Sequence, residues 1–160
     1  MTGEKPQQSL PMPMLNILNG GEHADNNIDI QEFMIIPSGA ESFTQAIQWS
    51  SEVYINLKEI LHPMKLSTSV GDEGGFAPNL NSNEDAIKLI EESIIKSDLK
   101  PGIDINIALD CAASEFFKNG KYILSGEGKE LSSDEFSDYL KNLISKYPIT
   151  SIEDGMDEND

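Results

Sequence analysis

The side chains most able to do chemistry in this sequence are carboxylates at the ends of apolar segments. Asp110 ends the segment IDINIALD and Glu153 lies at the end of PITSIED, positions where an unpaired buried carboxylate would be costly. The 2 histidines and 1 cysteine are too few for a multi-histidine or cysteine-based metal cluster. Any metal would therefore be held by oxygen ligands, which suit Mg²⁺, Ca²⁺ or Mn²⁺ rather than zinc or copper.

The composition limits the classes of partner. Of 160 residues, 38% are apolar and 24% are charged, as in ordinary globular domains. The formal net charge of −17 argues against a nucleic-acid or anionic-membrane surface, because both need clustered cations. No apolar run approaches the ~20 residues of a membrane helix, and the N-terminus lacks the apolar core of a signal peptide. Residues 1–10 are predicted to be a polar leader or loop.

Apolar periodicity and turn residues predict the order strand, strand, helix, helix, strand, hairpin, helix, strand. The predicted strands cover 12–18, 28–36, 103–110 and 148–154. One predicted helix follows Ser42, a second covers about 83–97 and a third follows Ser132. Ser42-x-x-Gln45 and Ser132-x-x-Glu135 have the spacing of capping boxes. The Asn119-Gly120 pair predicts a hairpin.

Two side-chain patterns predict how these elements face the core. In the third strand, Ile103, Ile105, Ile107 and Leu109 are expected on one face, with alternating residues on the other. The last helix has a stripe of helical spacing, which predicts one buried face. Its members are Phe136, Tyr139, Leu140, Leu143, Ile144 and Tyr147.

Chain direction predicts that the candidate residues gather at one end of the fold. If every connection reverses the chain in one layered α/β body, the loops 19–28 and 67–82 lie at the same end as the ends of strands three and four. That end collects Glu22, His23, Asp25, Gln31, Glu32, Asp72, Glu73, Asp110, Glu115, Glu153 and Asp154. Carboxylates gathered in this way repel each other unless a cation lies between them. The alternative is a solvated acidic rim without function.

Four long segments of the sequence resemble enolase. They are NILNGGEHADNNIDIQEFMIIP, VGDEGGFAPNL, IALDCAASEFF and SIEDGMDEND, in the family's order and at its spacing. The resemblance implies a partial (β/α)8 barrel that begins β-β-α-α-β-α-β, with its second strand antiparallel and a small hairpin after the third. Residues 11–160 would be the first half of the C-terminal barrel domain. The family's N-terminal α+β domain and later barrel strands would lie outside this sequence, since a closed barrel needs at least about 200 residues.

The same resemblance implies an activity and site residues. The activity is the reversible dehydration of 2-phosphoglycerate to phosphoenolpyruvate in glycolysis, with two Mg²⁺ ions. Asp110 and Glu153 match metal ligands, and Glu73 matches the general acid that protonates the leaving hydroxide. Glu32 matches its partner carboxylate, while Gln31 and His23 match substrate contacts. A third metal-binding Asp, the Lys that abstracts the α-proton and the phosphate-binding residues would lie outside this sequence, so residues 1–160 alone are expected to be inactive.

The resemblance also leaves alternatives open. It implies a cytoplasmic homo-oligomer, a dimer or larger, in the intact enzyme. A second role would be plasminogen binding at the cell surface, for which the segment EFFKNGKYIL offers Lys118 and Lys121. A sugar-acid dehydratase of the same superfamily is a third possibility, and GDEGGFAPN argues against it.

Overall fold

The computed structural model describes residues 10–71 and 73–160. The predicted leader therefore falls almost wholly outside the described residues, as does Asp72. The main elements are β1 (Leu15–Asn19), β2 (Glu32–Ile36), α1 (Phe43–Leu61), α2 (Asn83–Lys96), β3 (Asn106–Asp110), β4 (Phe117–Lys118), β5 (Lys121–Leu124), β6 (Lys129–Leu131), α3 (Ser133–Lys146) and β7 (Ile149–Glu153). This is the predicted order, with β6 as an unpredicted addition to the hairpin.

The larger sheet has four strands in the order β1-β2-β3-β7. β2 is antiparallel to both β1 and β3, and β3 is parallel to β7. β1, β3 and β7 therefore run in the same direction and β2 runs against them. The described sheet is open rather than closed into a barrel, and the expected antiparallel second strand is confirmed.

The strands begin later than predicted because the preceding backbone amides are unavailable or bonded elsewhere. Pro13 has no N–H to give to a strand ladder, and β1 begins after it. The N–H of Ile30 donates to Asn83 Oδ1 at 3.0 Å, outside the β2 ladder. Before β3, the N–H groups of Ile103 and Asp104 both donate to the Lys100 carbonyl in a turn. Ile103 is 67% exposed, so its predicted place in the inward row is wrong.

One hydrophobic core lies between the sheet and the helices. It contains Phe33 and Ile35 of β2, Ile107 and Leu109 of β3, and apolar faces of all three helices. α1 and α2 pack against each other, and α3 packs against β5, β6 and β7. In α3 the stripe buries Phe136, Leu140 and Leu143 but leaves Ile144 exposed, because Ile144 falls beyond the edge of the buried face.

The two predicted capping boxes differ. At α3, Ser132 Oγ accepts from the Glu135 N–H and the Glu135 carboxylate accepts from the Ser132 N–H, so the box is complete. At α1, Ser42 Oγ accepts from the Gln45 N–H, but Gln45 Oε1 accepts from the Glu41 N–H instead. Ser42 is therefore an N-cap without the reciprocal half of the box.

Three turns meet at one end of the sheet. The Asn106 side chain donates to Ser38 Oγ at 2.6 Å, and the Gly39 N–H donates to the Asp104 carbonyl at 2.9 Å. The Ile107 N–H donates to the Pro148 carbonyl at 2.9 Å, which joins the turn before β7 to the same group. These contacts tie together the turns that follow β2, precede β3 and precede β7, at the end of β3 away from Asp110.

Candidate active site

Three carboxylates lie in one row across neighbouring strands at the other end of the sheet. Glu32 begins β2 and faces Asp110, the last residue of β3, in the antiparallel register. Asp110 is also paired with Glu153, the last residue of β7, in the parallel register. Because β2 runs against its neighbours, its first residue reaches the same end as the last residues of β3 and β7. The structure therefore brings Glu32, Asp110 and Glu153 together as predicted.

Asp110 is held in place by two hydrogen bonds. Gln31 Nε2 donates to Asp110 Oδ2 at 3.3 Å, and the Ala112 N–H donates to Asp110 Oδ1 at 3.0 Å. Ala112 has a left-handed backbone with φ 44°, so the chain turns sharply directly after β3. Gln31 is thus a neighbour of the carboxylate row, in agreement with the sequence prediction.

Glu32 has a carboxyl group whose pKa is raised. Burial raises the pKa of Glu32, and the nearby Asp110 carboxylate raises it further. The charge of His23 lowers the pKa of Glu32. His23 Nδ1 lies 3.1 Å from Glu32 Oε1, but the two atoms do not form a hydrogen bond. The charges of Glu73 and Glu153 also raise the Glu32 pKa, so both act on the same carboxylate.

Glu73 and Glu153 are exposed to solvent. The expectation that an unpaired carboxylate at the end of β7 would be buried is therefore wrong for Glu153, because Thr150 and Ser151 of the same strand are exposed as well. Asp110 is half-buried, so the argument that an unpaired carboxylate is costly at a strand end still applies to Asp110. Cys111, next to it, is fully buried, and burial raises the pKa of its thiol to about 12. That thiol stays protonated at neutral pH and is a packed side chain.

The row offers oxygen ligands suited to a hard cation, but not a complete set. Asp110 and Glu153 could each present carboxylate oxygens to Mg²⁺. Within residues 10–71 and 73–160, no three His, Cys, Asp or Glu side chains are placed so that they could hold a metal ion. The pair therefore fits two ligands of a site that needs further donors.

A polar network around the buried side chain of Glu127 was not predicted. Glu127 Oε1 accepts hydrogen bonds from the Asn83 N–H at 2.9 Å, from Asn83 Nδ2 at 3.0 Å and from the Tyr139 hydroxyl at 2.9 Å. The other oxygen, Glu127 Oε2, lies 2.6 Å from Lys129 Nζ. Asn83 Oδ1 accepts from Ile30, directly before Gln31. The network thus supports the backbone that carries Gln31 and Glu32. The sequence signal that could have revealed this network is Asn83, a polar amide in the first turn of the otherwise apolar buried face of α2.

A cleft lies between the loop of His23 and the chain preceding Glu73. It has a volume of about 510 Å³ and is lined by His23, Asp25, Ser69 and Gly71, among others. Lys118 and Lys121, on which the plasminogen-binding alternative rests, lie exposed on β4 and β5 outside this cleft, and Lys121 is 3.5 Å from Glu130. No helix in the described part of the chain is long and apolar enough to cross a membrane.

Comparison with known families gives the class of this fold and site. The family model described as "Enolase, C-terminal TIM barrel domain" matches residues 7–160. The chain belongs to the enolase C-terminal barrel family, a family of lyase-type enzymes that act on small molecules. The match begins before the predicted boundary at residue 11 and includes every element described above.

Proposed function

We propose that this chain is the part of a phosphopyruvate hydratase that carries its general acid and two of its metal ligands. The reaction is the reversible dehydration of 2-phosphoglycerate to phosphoenolpyruvate. The observation that carries the proposal is the row of Glu32, Asp110 and Glu153 across adjacent strands, with Gln31 and His23 beside it. The family match supports a lyase, and the motif GDEGGFAPN favours this substrate over a sugar acid.

Each residue has a role in this proposal. Asp110 and Glu153 would hold Mg²⁺, which when bound would supply positive charge to stabilise the substrate's developing negative charge. The α-proton would be taken by the lysine base that the enolase resemblance implies. Glu73 donates a proton to the departing hydroxyl, so that the C–O bond breaks as the C=C bond forms and water is released. Glu32, whose pKa is raised and whose side chain is half-buried, would act with Glu73 at the hydroxyl side of the substrate. His23 and Gln31 contact the substrate.

Metal titration tests the proposal directly. Calorimetric titration with Mg²⁺ of the intact enzyme that contains this segment is expected to show weaker binding in Asp110→Asn and in Glu153→Gln than in the unmodified enzyme, because each change removes a charged oxygen ligand. Asp138→Asn is the matched control, since it removes the same charge from an exposed carboxylate on α3. Unchanged affinity in both site variants would overturn the assignment of Asp110 and Glu153.

A further inference from the structure

The loops that carry His23 and Glu73 meet at Asn19, the last residue of β1. Asn19 is fully buried, although its side chain is a polar amide. Its Nδ2 donates to the Gly75 carbonyl at 2.7 Å, and its Oδ1 accepts from the Asn16 side chain. Its backbone N–H donates to the Phe76 carbonyl at 2.8 Å, and its carbonyl accepts from Asn26 Nδ2 at 2.9 Å. Asn19 is thus hydrogen-bonded both to the loop that carries His23, through Asn26, and to the chain that follows Glu73, through Gly75 and Phe76.

The loop of Glu73 lies so close to Asn19 that only glycine fits. A Cβ at Gly71 would lie 2.6 Å from Asn19 Nδ2 and 2.7 Å from the His23 carbonyl oxygen. A Cβ at Gly75 would lie 2.9 Å from Asn19 Nδ2. The Gly71 N–H also donates to the Gly75 carbonyl at 2.8 Å, and this hydrogen bond joins the two ends of the short loop that contains Glu73. The Asn19 amide therefore fits into the base of this loop, with the His23 backbone against the same glycine.

We propose that Asn19, which is paired with Glu32 in the register of β1 and β2, is a positioning residue that holds the loops of His23 and Glu73 in fixed relation to each other and to Glu32. The proposal rests on the proposed function for the roles of those side chains, but its geometry does not depend on that function. A buried amide that loses its partners is costly, so this arrangement strongly favours one loop conformation. Asn19 is too deeply buried to touch substrate, and it acts through the loops.

Amide hydrogen exchange, measured by NMR on the labelled chain without metal or substrate, tests this proposal. In Asn19→Ala, exchange at Gly71, Gly74 and Phe76 is expected to accelerate on the order of tenfold or more, because a buried hydrogen-bonding anchor is lost. The amides of Ile107 and Leu109 in β3 serve as the internal reference. The matched control is Asn83→Ala, which removes an equally buried amide whose partners are Ile30, Glu127 and Tyr139.

The outcome separates positioning from general support of the fold. Faster exchange confined to the Glu73 loop and to His23 supports the proposal. The proposal would be overturned if Asn83→Ala accelerated exchange at the same loop amides equally, or if Asn19→Ala accelerated exchange at Ile107 and Leu109 to the same extent. If Asn19→Ala does not fold, Gly71→Ala decides, because its Cβ would push against both the Asn19 amide and the His23 carbonyl from the loop side.

Unchanged exchange at Phe76 and His23 in Gly71→Ala would then overturn the proposal. Failure of either exchange experiment leaves the metal titration of Asp110 and Glu153 unaffected. The positioning proposal and the proposed function can therefore fail independently.

Discussion

Glu73 combines an exposed carboxylate with a loop fixed at both of its ends. Its neighbours Gly71 and Gly75 are hydrogen-bonded to each other, while the Glu73 side chain is free to reach solvent or a ligand. A general acid needs this combination, since it must approach the leaving group and then be reprotonated.

For the intact enzyme that contains this segment, we expect Glu73→Gln to abolish dehydration while α-proton exchange with solvent stays measurable. The acid acts on the leaving hydroxyl and not on the α-carbon. The measurement is deuterium incorporation at the α-carbon beside the rate of phosphoenolpyruvate formation. Simultaneous loss of both reactions would mean that Glu73 has another role.

Glu127 shows how a buried carboxylate can stabilise the fold. Its side chain is 6% exposed, and burial alone would raise its pKa. Hydrogen bonds from Lys129, Asn83 and Tyr139 outweigh that effect and hold the pKa of Glu127 below its usual range. Asp29 is the opposite case, because burial raises the pKa of Asp29 and its Oδ2 has no hydrogen-bond partner.

We expect Glu127→Gln to lower the free energy of unfolding at pH 7 by about 1–2 kcal/mol, since hydrogen bonds to a charged group are lost. A lowered pKa stabilises the fold above the unfolded-state value of about 4.3, and this contribution disappears as the pH falls through the folded-state pKa. The difference between the two proteins in urea unfolding should therefore shrink toward pH 3. Glu130→Gln, at a residue whose side chain is 65% exposed, is the control and should change little at either pH.

At the scale of elements, the N-terminus of α3 is the best-defined helix end. Ser132 Oγ accepts from the Glu135 N–H and is also hydrogen-bonded to the Glu135 carboxylate at 2.8 Å. Ser132→Ala is expected to cost about 1 kcal/mol in urea unfolding, the usual value for loss of an N-cap. Ser145→Ala, near the end of the same helix, provides the comparison because its exposed hydroxyl bonds only the Asn142 carbonyl. Equal losses in the two variants would contradict the capping role.

The sequence predicted the elements better than their boundaries. Apolar stripes, and the serine N-caps of α1 and α3, are local signals, so α1, α2 and α3 fall where they were expected. Strand boundaries depend on where the backbone N–H groups find acceptors. Ile30 binds Asn83, which is 53 positions further along the chain, and no local pattern could show this.

The same distinction applies to the candidate site. The positions of Asp110, Glu32 and Glu153 were predictable, because chain direction determines at which end of the sheet each strand begins or ends. The exposure of Glu153 was not predicted. The Glu127 network and Asn19 were missed because they join loops and helices that approach each other only in the folded chain. Their polar side chains gave no periodicity to detect.

At the scale of the whole molecule, the net charge of −17 decides how the chain behaves toward other copies of itself. The like charge makes copies of the chain repel each other at neutral pH, and this repulsion weakens as the carboxylates are protonated. We expect association to be greatest near the sequence pI of 4.3, where the net charge vanishes. Static light scattering against pH measures this, and constant scattering from pH 7 to pH 4.3 would contradict it.

The three joined turns around Ser38, Asp104 and Pro148 lie at the end of the sheet opposite to the carboxylate row. Along β3, four steps of about 3.3 Å separate Asn106 from Asp110, roughly 13 Å in all. Residues so far apart, with no shared partner, change the free energy of unfolding independently. Amino-acid replacements that strengthen the turns therefore add to, and do not alter, the effect of replacements among Glu32, Asp110 and Glu153. The stability of the fold and the chemistry proposed for the carboxylate row can thus evolve separately.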